Sequence, residues 1–212
     1  MLSYFKKKKD SLRSLTKPEE LMVGDIVVLK ERLSLPSELQ GLELEVTHVS
    51  TYQYASGIEK EFTLRSTDSV SYYMSVDDND GDPILCFTIK IPRESVLAIF
   101  DEDEFARLWE PEFASLKVVS IPEQYADWLT DSYQQIIKDE EGYYYPHDCS
   151  DKTPSKRLDD DGEELRYHEC EGEPDDNRSL IVEVFGNGET NVFLEVSTPL
   201  DVIAELWPHA KQ

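Results

Sequence analysis

The sequence has no long apolar run, only three cysteines and comparatively few basic residues. A membrane-spanning helix needs about 18 or more apolar residues, and a secretory signal needs an apolar core of about 7–15. Near the N-terminus Leu2, Tyr4 and Phe5 are followed at once by four lysines, so neither pattern is present. We therefore expect a cytoplasmic protein.

Disulfides and the common catalytic motifs are also missing. Cys86, Cys149 and Cys170 are odd in number and irregularly spaced, which indicates no disulfide framework. The nine glycines stand singly, and there is no phosphate-binding glycine loop, HExxH, GxSxG or dinucleotide fingerprint. Carboxylate pairs leave no local signature, so catalysis is not excluded. The pattern favours binding over catalysis.

Acidic residues dominate what is present. The 212 residues include 45 Asp and Glu against 21 Lys and Arg, a formal net charge of -24. Residues 1–17 hold six Lys or Arg and one Asp, a charge of +5, so the rest carries -29. Such a body repels nucleic acid phosphates and anionic lipid, and it attracts basic proteins, polyamines or divalent cations. We expect a basic protein or a polyamine as the partner and no direct nucleic-acid binding, although the charge also promotes solubility by itself.

Residues 1–17 are predicted to be a separate basic arm, either flexible or a short helix. Lysines beside a small apolar wedge make transient contact with an anionic membrane surface physically reasonable, although the negative body opposes it beyond a Debye length. The other interpretation is a solvated chain start, as is common for termini. The residues predicted to make this contact are Leu2, Tyr4, Phe5, Lys6, Lys7, Lys8 and Lys9.

Alternating apolar and polar residues predict an α+β fold, mainly antiparallel β. Leu42, Leu44, Val46 and His48 are expected on one face of a strand. Ser95–Trp109 is expected to be helical, with a restart at Asp101 because Glu104 completes a capping-box pattern. The other expected segments are strands at Ile26–Leu29, Glu61–Arg65, Val70–Val76 and Ile84–Ile91, a turn at Asp77–Asp82 and a polar loop at Cys149–Glu164.

Two segments resemble each other at half the chain length. Ser71–Phe100 and Ser179–Trp207 both read as strand, glycine-containing turn, strand, proline and short apolar helix. The repeat predicts two similar strand–hairpin–helix modules, residues 18–112 and 113–212, packed together after a duplication. The apolar positions expected inside are Phe87, Ile89 and Ile91 in one module and Val192, Leu194 and Val196 in the other.

Two His-x-Cys tripeptides are the candidates for a metal site. On a strand, residues i and i+2 face the same side, so His147 with Cys149 and His168 with Cys170 offer a tetrahedral ligand set for zinc. The alternative is that Cys170 packs inward and His147 lies on a polar loop. A cysteine nucleophile lacks any accompanying oxyanion motif.

Tyrosines cluster in the sequence as Tyr52, Tyr54, Tyr72 and Tyr73 and again as Tyr143–Tyr145. Aromatic rings beside carboxylates can enclose a polyamine or a lysine side chain through cation–π attraction. The alternative is that these rings simply pack on a sheet.

Three motifs carry a resemblance to a known family: Leu21-x-Val23-Gly24-Asp25, Tyr52-x-Tyr54 and Ile91-Pro92-x-x-x-Val96. Over residues 20–110 the chain resembles a bacterial family of small acidic β-rich proteins of unknown function, some encoded near polyamine or membrane-stress genes. The resemblance implies a fold and a context, and no activity.

The leading hypothesis is a non-enzymatic binding or adaptor protein whose acidic surface engages a cationic partner. One alternative is a zinc-binding protein or metal-dependent enzyme that uses His147, Cys149, His168 and Cys170. Another is a DNA mimic, in which carboxylates imitate phosphates.

Overall fold

The computed structural model describes residues 13–67, 70–79, 81–152 and 161–209, which form a single antiparallel sheet of eleven strands. The strands are β1 (Ile26–Leu29), β2 (Glu43–Gln53), β3 (Ile58–Arg65), β4 (Ser71–Asn79), β5 (Asp82–Ile91), β6 (Ser115–Lys117), β7 (Ser132–Tyr145), β8 (Glu163–Glu173), β9 (Arg178–Phe185), β10 (Thr190–Pro199) and β11 (Ile203–Trp207). The α-helices in this part of the chain are α1 (Arg93–Ile99) and α2 (Glu102–Ala106). The expectation of an α+β fold is therefore wrong, because the protein is essentially all-β.

The sheet closes on itself. Its strand order is β11-β1-β2-β3-β4-β5-β10-β9-β8-β7-β6, and β2 also pairs with β7. The closing register joins Thr51 to Tyr145 and Gln53 to Tyr143. Eight strands (β2, β3, β4, β5, β10, β9, β8 and β7) thus form a closed ring, the strand ring, while β1, β11 and β6 extend the sheet beyond it.

The predicted second helix is replaced by a strand. After Pro199 the chain makes one 3-10 turn, Leu200–Val202, and then enters β11. β11 runs antiparallel to β1, with Ile26 opposite Trp207. The β-branched Val202 and Ile203 suit an extended backbone. Pairing with β1 therefore decides the conformation of a short apolar segment that is ambiguous on its own.

The helical stretch in the first half is confirmed, including its interruption. Phe100 ends α1 with an extended backbone. The Asp101 carboxylate then accepts hydrogen bonds from the backbone N–H groups of Asp103 (3.0 Å) and Glu104 (3.1 Å). This N-cap starts α2 where the sequence pattern placed it.

The two predicted hairpins, β4–β5 and β9–β10, lie side by side. Glycines with positive φ, Gly81 and Gly188, occupy their turns, and β5 pairs with β10 so that Phe87 lies opposite Val196. Beyond the hairpins the described halves differ, since α1 follows β5 whereas β11 completes the second half. Strands of both predicted modules share one sheet, and the duplication itself stays a prediction.

One face of the sheet carries the apolar core. All six positions expected inside are buried: Phe87, Ile89, Ile91, Val192, Leu194 and Val196. Trp128 covers this face, stacks on Tyr72 with ring centroids 6.4 Å apart, and donates its Nε1–H to Glu38 at 3.0 Å. Burial of these side chains is the main stabilising contribution.

A bulge in β2 changes which side chains share a face. The register with β3 shifts between Val46 and His48, so Val49 is buried and His48 is exposed. The prediction that His48 lies on the face of Leu44 and Val46 is therefore wrong. An extra residue in a strand inverts the alternation that follows it, which moves Tyr52 to the face opposite the apolar core.

Two further predictions fall wholly or partly outside the described residues. The residues predicted for membrane contact, Leu2, Tyr4, Phe5, Lys6, Lys7, Lys8 and Lys9, lie outside the described residues, as do residues 153–160 of the predicted polar loop. Across the described residues, no helix is both long and apolar enough to span a membrane.

Candidate functional site

The inside of the strand ring is polar and aromatic. A cavity of about 80 Å³ is lined by side chains from seven of the eight ring strands, which places it inside the ring. We define the acidic cavity by the five glutamates and five tyrosines that lie on this face of the strands: Glu59, Glu61, Glu169, Glu183, Glu195, Tyr52, Tyr54, Tyr73, Tyr144 and Tyr167.

The acidic cavity has an inner and an outer part. The inner part is the space of about 80 Å³, and the outer part has a volume of about 300 Å³. Tyr52, Glu61, Glu183 and Phe193 line both parts. The two spaces are therefore neighbours separated by these side chains.

Glu183 lies at the junction of the two parts. Its side chain projects from β9 and is 4% exposed, and its Oε2 atom has no hydrogen-bond partner among the described residues. Burial raises the pKa of this carboxyl to about 7, although hydrogen bonding to Tyr52 and Asn191 and the charge of Lys90 oppose the rise. A buried polar atom without a partner costs free energy.

Glu61 faces Glu183 from β3, on the opposite side of the strand ring. Its Oε1 accepts a hydrogen bond from the Ser50 hydroxyl at 3.2 Å. Burial, reinforced by repulsion from Glu183, raises the pKa of Glu61 to about 8. The two carboxyl groups therefore destabilise each other's ionised form.

Glu59, Glu169 and Glu195 form a second group. Burial raises the pKa of Glu195 to about 8, and repulsion from Glu169, Asp77 and Glu59 adds to the rise. Burial likewise raises the pKa of Glu169, which accepts hydrogen bonds from Tyr167 at 3.0 Å and Ser179 at 3.4 Å.

Glu59 is the member of this group that reaches solvent. Removal from bulk water and repulsion from Asp77, Glu140 and Glu169 raise its pKa to about 7. Because Glu59 is exposed, water screens the repulsion that acts on it. Glu59 therefore marks an edge of the acidic cavity.

Basic side chains do not neutralise these glutamates. Across the described residues, none of the five forms a salt bridge with a lysine or arginine. The Lys60 ammonium lies 3.9 Å from Asp148 and 5.6 Å from the centre of the Phe62 ring. The Lys90 ammonium lies 3.8 Å from Glu189. Lys60 lines the inner part and Lys90 the outer part of the cavity without pairing with any of the five glutamates, although the charge of Lys90 favours ionised Glu183.

Tyrosine rings form the aromatic wall. Tyr52 and Tyr54 stack with centroids 6.0 Å apart and planes inclined by 8°. The ring centroid of Tyr144 lies 5.2 Å from that of Tyr52, and the ring centroid of Tyr167 lies 5.4 Å from that of Tyr54. Burial raises the pKa values of Tyr52, Tyr54 and Tyr167 well above the ordinary value of tyrosine. The phenols therefore stay neutral and present electron-rich faces.

A glycine makes room for this wall. A Cβ atom on Gly142 of β7 would lie 2.8 Å from the Tyr54 ring. Only glycine allows Tyr54 to lie flat against the neighbouring strand at this point.

The predicted tyrosine grouping is confirmed in part. Tyr52, Tyr54, Tyr73 and Tyr144 lie on the inner face of the strand ring. Tyr72 instead stacks on Trp128 within the apolar core. Tyr145 is fully buried and donates a hydrogen bond to Gln53 at 2.9 Å.

The residues predicted to bind zinc have different surroundings. His147 lies after β7 with its Nδ1 atom 3.4 Å from Asp161. The backbone N–H of the buried Cys149 donates to the Thr51 hydroxyl at 2.8 Å.

His168 and Cys170 lie on the apolar face of β8. The His168 Nδ1 atom is 3.2 Å from the side-chain nitrogen of Gln135, and burial lowers the pKa of this imidazole. Burial raises the pKa of Cys170 to about 12. The described residues contain no group of three His, Cys, Asp or Glu side chains that could hold a metal ion. The zinc site stays a prediction.

The cavity glutamates were not singled out by the sequence reasoning. Glu183 and Glu195 each stand between apolar neighbours inside a strand, whereas Glu59 and Glu61 are separated by a single residue. A carboxylate in an otherwise apolar strand is the signal that was available.

Another concave surface lies beside α1 and α2. This groove of about 380 Å³ is lined mainly by apolar side chains, including Val96, Leu97, Phe105 and Trp109. Its two charged lining residues, Arg93 and Glu102, form an exposed ion pair at 3.7 Å. The groove offers no chemistry comparable to that of the acidic cavity.

Comparison with protein-family models, curated proteins and solved structures gives no match. The resemblance to an acidic β-rich bacterial family therefore stays a prediction, and function is argued from the geometry of the acidic cavity.

Proposed function

We propose that the protein binds a small organic cation, carrying an ammonium group, inside the acidic cavity. The observation that carries this proposal is Glu183: its carboxylate is buried, lines both parts of the cavity and leaves Oε2 without a partner. Glu61 adds a second carboxylate on the opposite wall. An ammonium donor between them would satisfy the orphaned oxygen and offset the repulsion.

The aromatic wall supports an organic ligand. Neutral tyrosine faces attract ammonium groups, and a desolvated contact of this kind contributes about 2 kcal/mol. The same rings also pack favourably against the hydrocarbon part of an organic ligand. A hydrated metal ion has no such part. The lack of any described group of three suitably placed ligand side chains also favours an organic cation over a metal ion.

The charge of the whole chain supports the sign of the ligand. A net charge of -24 concentrates cations around the molecule and speeds their encounter with it. The proposal narrows the expected partner from any basic protein or polyamine to a molecule small enough to enter the strand ring. It assigns binding, and no reaction, to this site.

Titration calorimetry with butylamine at pH 8 tests the proposal. We expect saturable binding that weakens when salt rises from about 50 mM to about 500 mM, because salt screens the attraction. Glu183→Gln keeps the side-chain shape and should weaken binding at least tenfold. Glu43→Gln, the same change at an exposed position on β2, is the matched control and should bind as the wild type does.

Two results would contradict the proposal. One is the absence of heat or thermal stabilisation with butylamine at concentrations up to tens of millimolar. The other is equal weakening by Glu183→Gln and Glu43→Gln, which would place the effect on the surface charge and not in the cavity.

A further inference from the structure

We infer that the acidic cavity holds two ammonium groups at once, so that its ligand is a linear diamine or longer oligoamine. This inference rests on the proposed function and adds the chemical class of the ligand. It comes from the arrangement of the carboxylates into two groups with stacked tyrosines between them.

The first group is the pair Glu61 and Glu183. Both residues line the inner and the outer part of the cavity, and they approach each other from β3 and β9 on opposite sides of the strand ring. The unpartnered Oε2 of Glu183, at 4% exposure, belongs to this group. The first ammonium group donates a hydrogen bond to this oxygen atom.

The second group is Glu59, Glu195 and Glu169. Glu59 and Glu195 line the inner part only, and Glu169 repels both of them. Glu59 stands two residues before Glu61 on β3, and same-face residues at that spacing lie about 6–7 Å apart along a strand. The second group is therefore displaced from the first by roughly that distance.

The tyrosines connect the two groups. Tyr52, Tyr54, Glu59, Glu61 and Glu183 line the same inner space. The charges of Glu61 and Glu183 act on Tyr52, and the charge of Glu59 acts on Tyr54 together with those two. The two rings stack at 6.0 Å between centroids, and both line the inner part of the cavity. A methylene chain lying along these rings would place one ammonium group at each carboxylate group.

The inner part also limits the shape of the ligand. Its volume of about 80 Å³ is much smaller than the 300 Å³ of the outer part. An unbranched chain fits this space better than a bulky quaternary ammonium group. A chain of four or five methylene groups suits the separation expected along β3.

Calorimetry with a matched set of probes tests the inference: butylamine, 4-amino-1-butanol, 1,4-diaminobutane and 1,5-diaminopentane at pH 8. The amino alcohol has a similar length to 1,4-diaminobutane but carries only one charge. We expect the diamines to bind at least tenfold more tightly than 4-amino-1-butanol, because the second contact forms within the same molecule.

Variants separate the two carboxylate groups. Glu195→Gln should reduce the ratio of the affinity for 1,4-diaminobutane to the affinity for 4-amino-1-butanol toward one. Glu183→Gln should weaken the binding of every probe. Thermal unfolding of each variant without ligand verifies that it is folded, and the glutamine side chain keeps the size of the original.

The outcomes distinguish this inference from the proposed function. If monoamines and diamines bind with equal affinity, the cavity takes a single ammonium group and the inference is overturned, while the proposed function stands. If none of the four probes binds, the proposed function is overturned and the inference with it. A ratio that Glu195→Gln leaves unchanged also overturns the two-group arrangement.

Discussion

Val182 and Glu183 are neighbours on β9 and both are buried, yet they face opposite environments. Val182 packs in the apolar core, whereas Glu183 points into the acidic cavity. Burial stabilises the first side chain and destabilises the charge of the second. The two faces of one sheet thus have different roles. The apolar face stabilises the fold, and the inner face carries buried carboxylates whose unfavourable burial a ligand can offset.

The largest expected effect comes from removing the same side chain on each face. Phe87 is fully buried in the apolar core, and Phe193 lines the cavity. Phe87→Ala should lower the free energy of unfolding by about 3–5 kcal/mol, because it creates a void in packed surroundings. Phe193→Ala should cost about 1–2 kcal/mol less, because its site already borders open space. Denaturant unfolding measures both values, and equal losses would contradict the division between the faces.

The next effect depends on pH. Glu61 titrates with its pKa raised to about 8 in the folded protein, against about 4.5 when unfolded. Between these values the folded state binds more protons, so the stability associated with this group is complete below about pH 4.5 and is lost as the pH rises through about 8. The groups that face it are Glu183, the Ser50 hydroxyl and the phenols of Tyr52, Tyr54, Tyr73 and Tyr144.

Glu61→Gln therefore should stabilise the protein at high pH and not at low pH. We expect a gain on the order of 1–2 kcal/mol at pH 8.5, discounted for the water that reaches the cavity, and almost none at pH 5. Denaturant unfolding at both pH values measures it, with Glu43→Gln as the control. A gain of the same size at pH 5 would show that charge burial is not the cause.

Two glycines differ in what surrounds them, and only one of them contacts the tyrosine wall of the cavity. Gly142→Ala should cost about 1–2 kcal/mol and weaken butylamine binding, because the new methyl group would displace the Tyr54 ring. Gly57→Ala is the matched control, since nothing lies within 4 Å of a Cβ atom there. Near-ultraviolet circular dichroism should change for the first variant only. An unchanged spectrum and affinity for Gly142→Ala would remove Tyr54 from the binding wall.

The smallest expected effect lies outside both faces. Asp101→Ala removes the cap of α2 and should lower the free energy of unfolding by about 1 kcal/mol. Butylamine affinity should stay at the wild-type value, because α2 does not line the acidic cavity. Calorimetry and thermal unfolding on the same preparation check this. A loss of affinity would mean that the helices and the cavity are coupled.

Local patterns predicted the parts of the fold that depend on near neighbours. The turn at Gly81, the cap at Asp101 and the apolar alternation around Phe87 are all encoded within a few residues. The segment Leu200–Trp207 was predicted as helix because its conformation depends on β1, far away in the chain. His48 was misplaced because a bulge is set by strand pairing and not by composition.

The candidate site was predictable only in its tyrosines. Their clustering was compatible with an enclosure for a cation as well as with simple packing on a sheet, and the structure brings Tyr52, Tyr54 and Tyr144 together. In the sequence, the glutamates looked like surface charge. The strand face that they occupy becomes an interior only because β2 pairs with β7. That closure joins residues about ninety positions apart, so no local pattern reveals it.

The same closure is also the shortest junction of the strand ring. β2 and β7 meet through three residue pairs, whereas β4 and β5 share seven. A short ladder opens more readily than a long one, and local opening exposes amides to solvent exchange. Deuterium uptake at Gln53 and Tyr143 should therefore outpace uptake at Met74 and Phe87. Tyr52 and Tyr144 are the central pair of this junction and also line the outer part of the cavity. Transient opening of the junction would therefore give small molecules a route into and out of the strand ring.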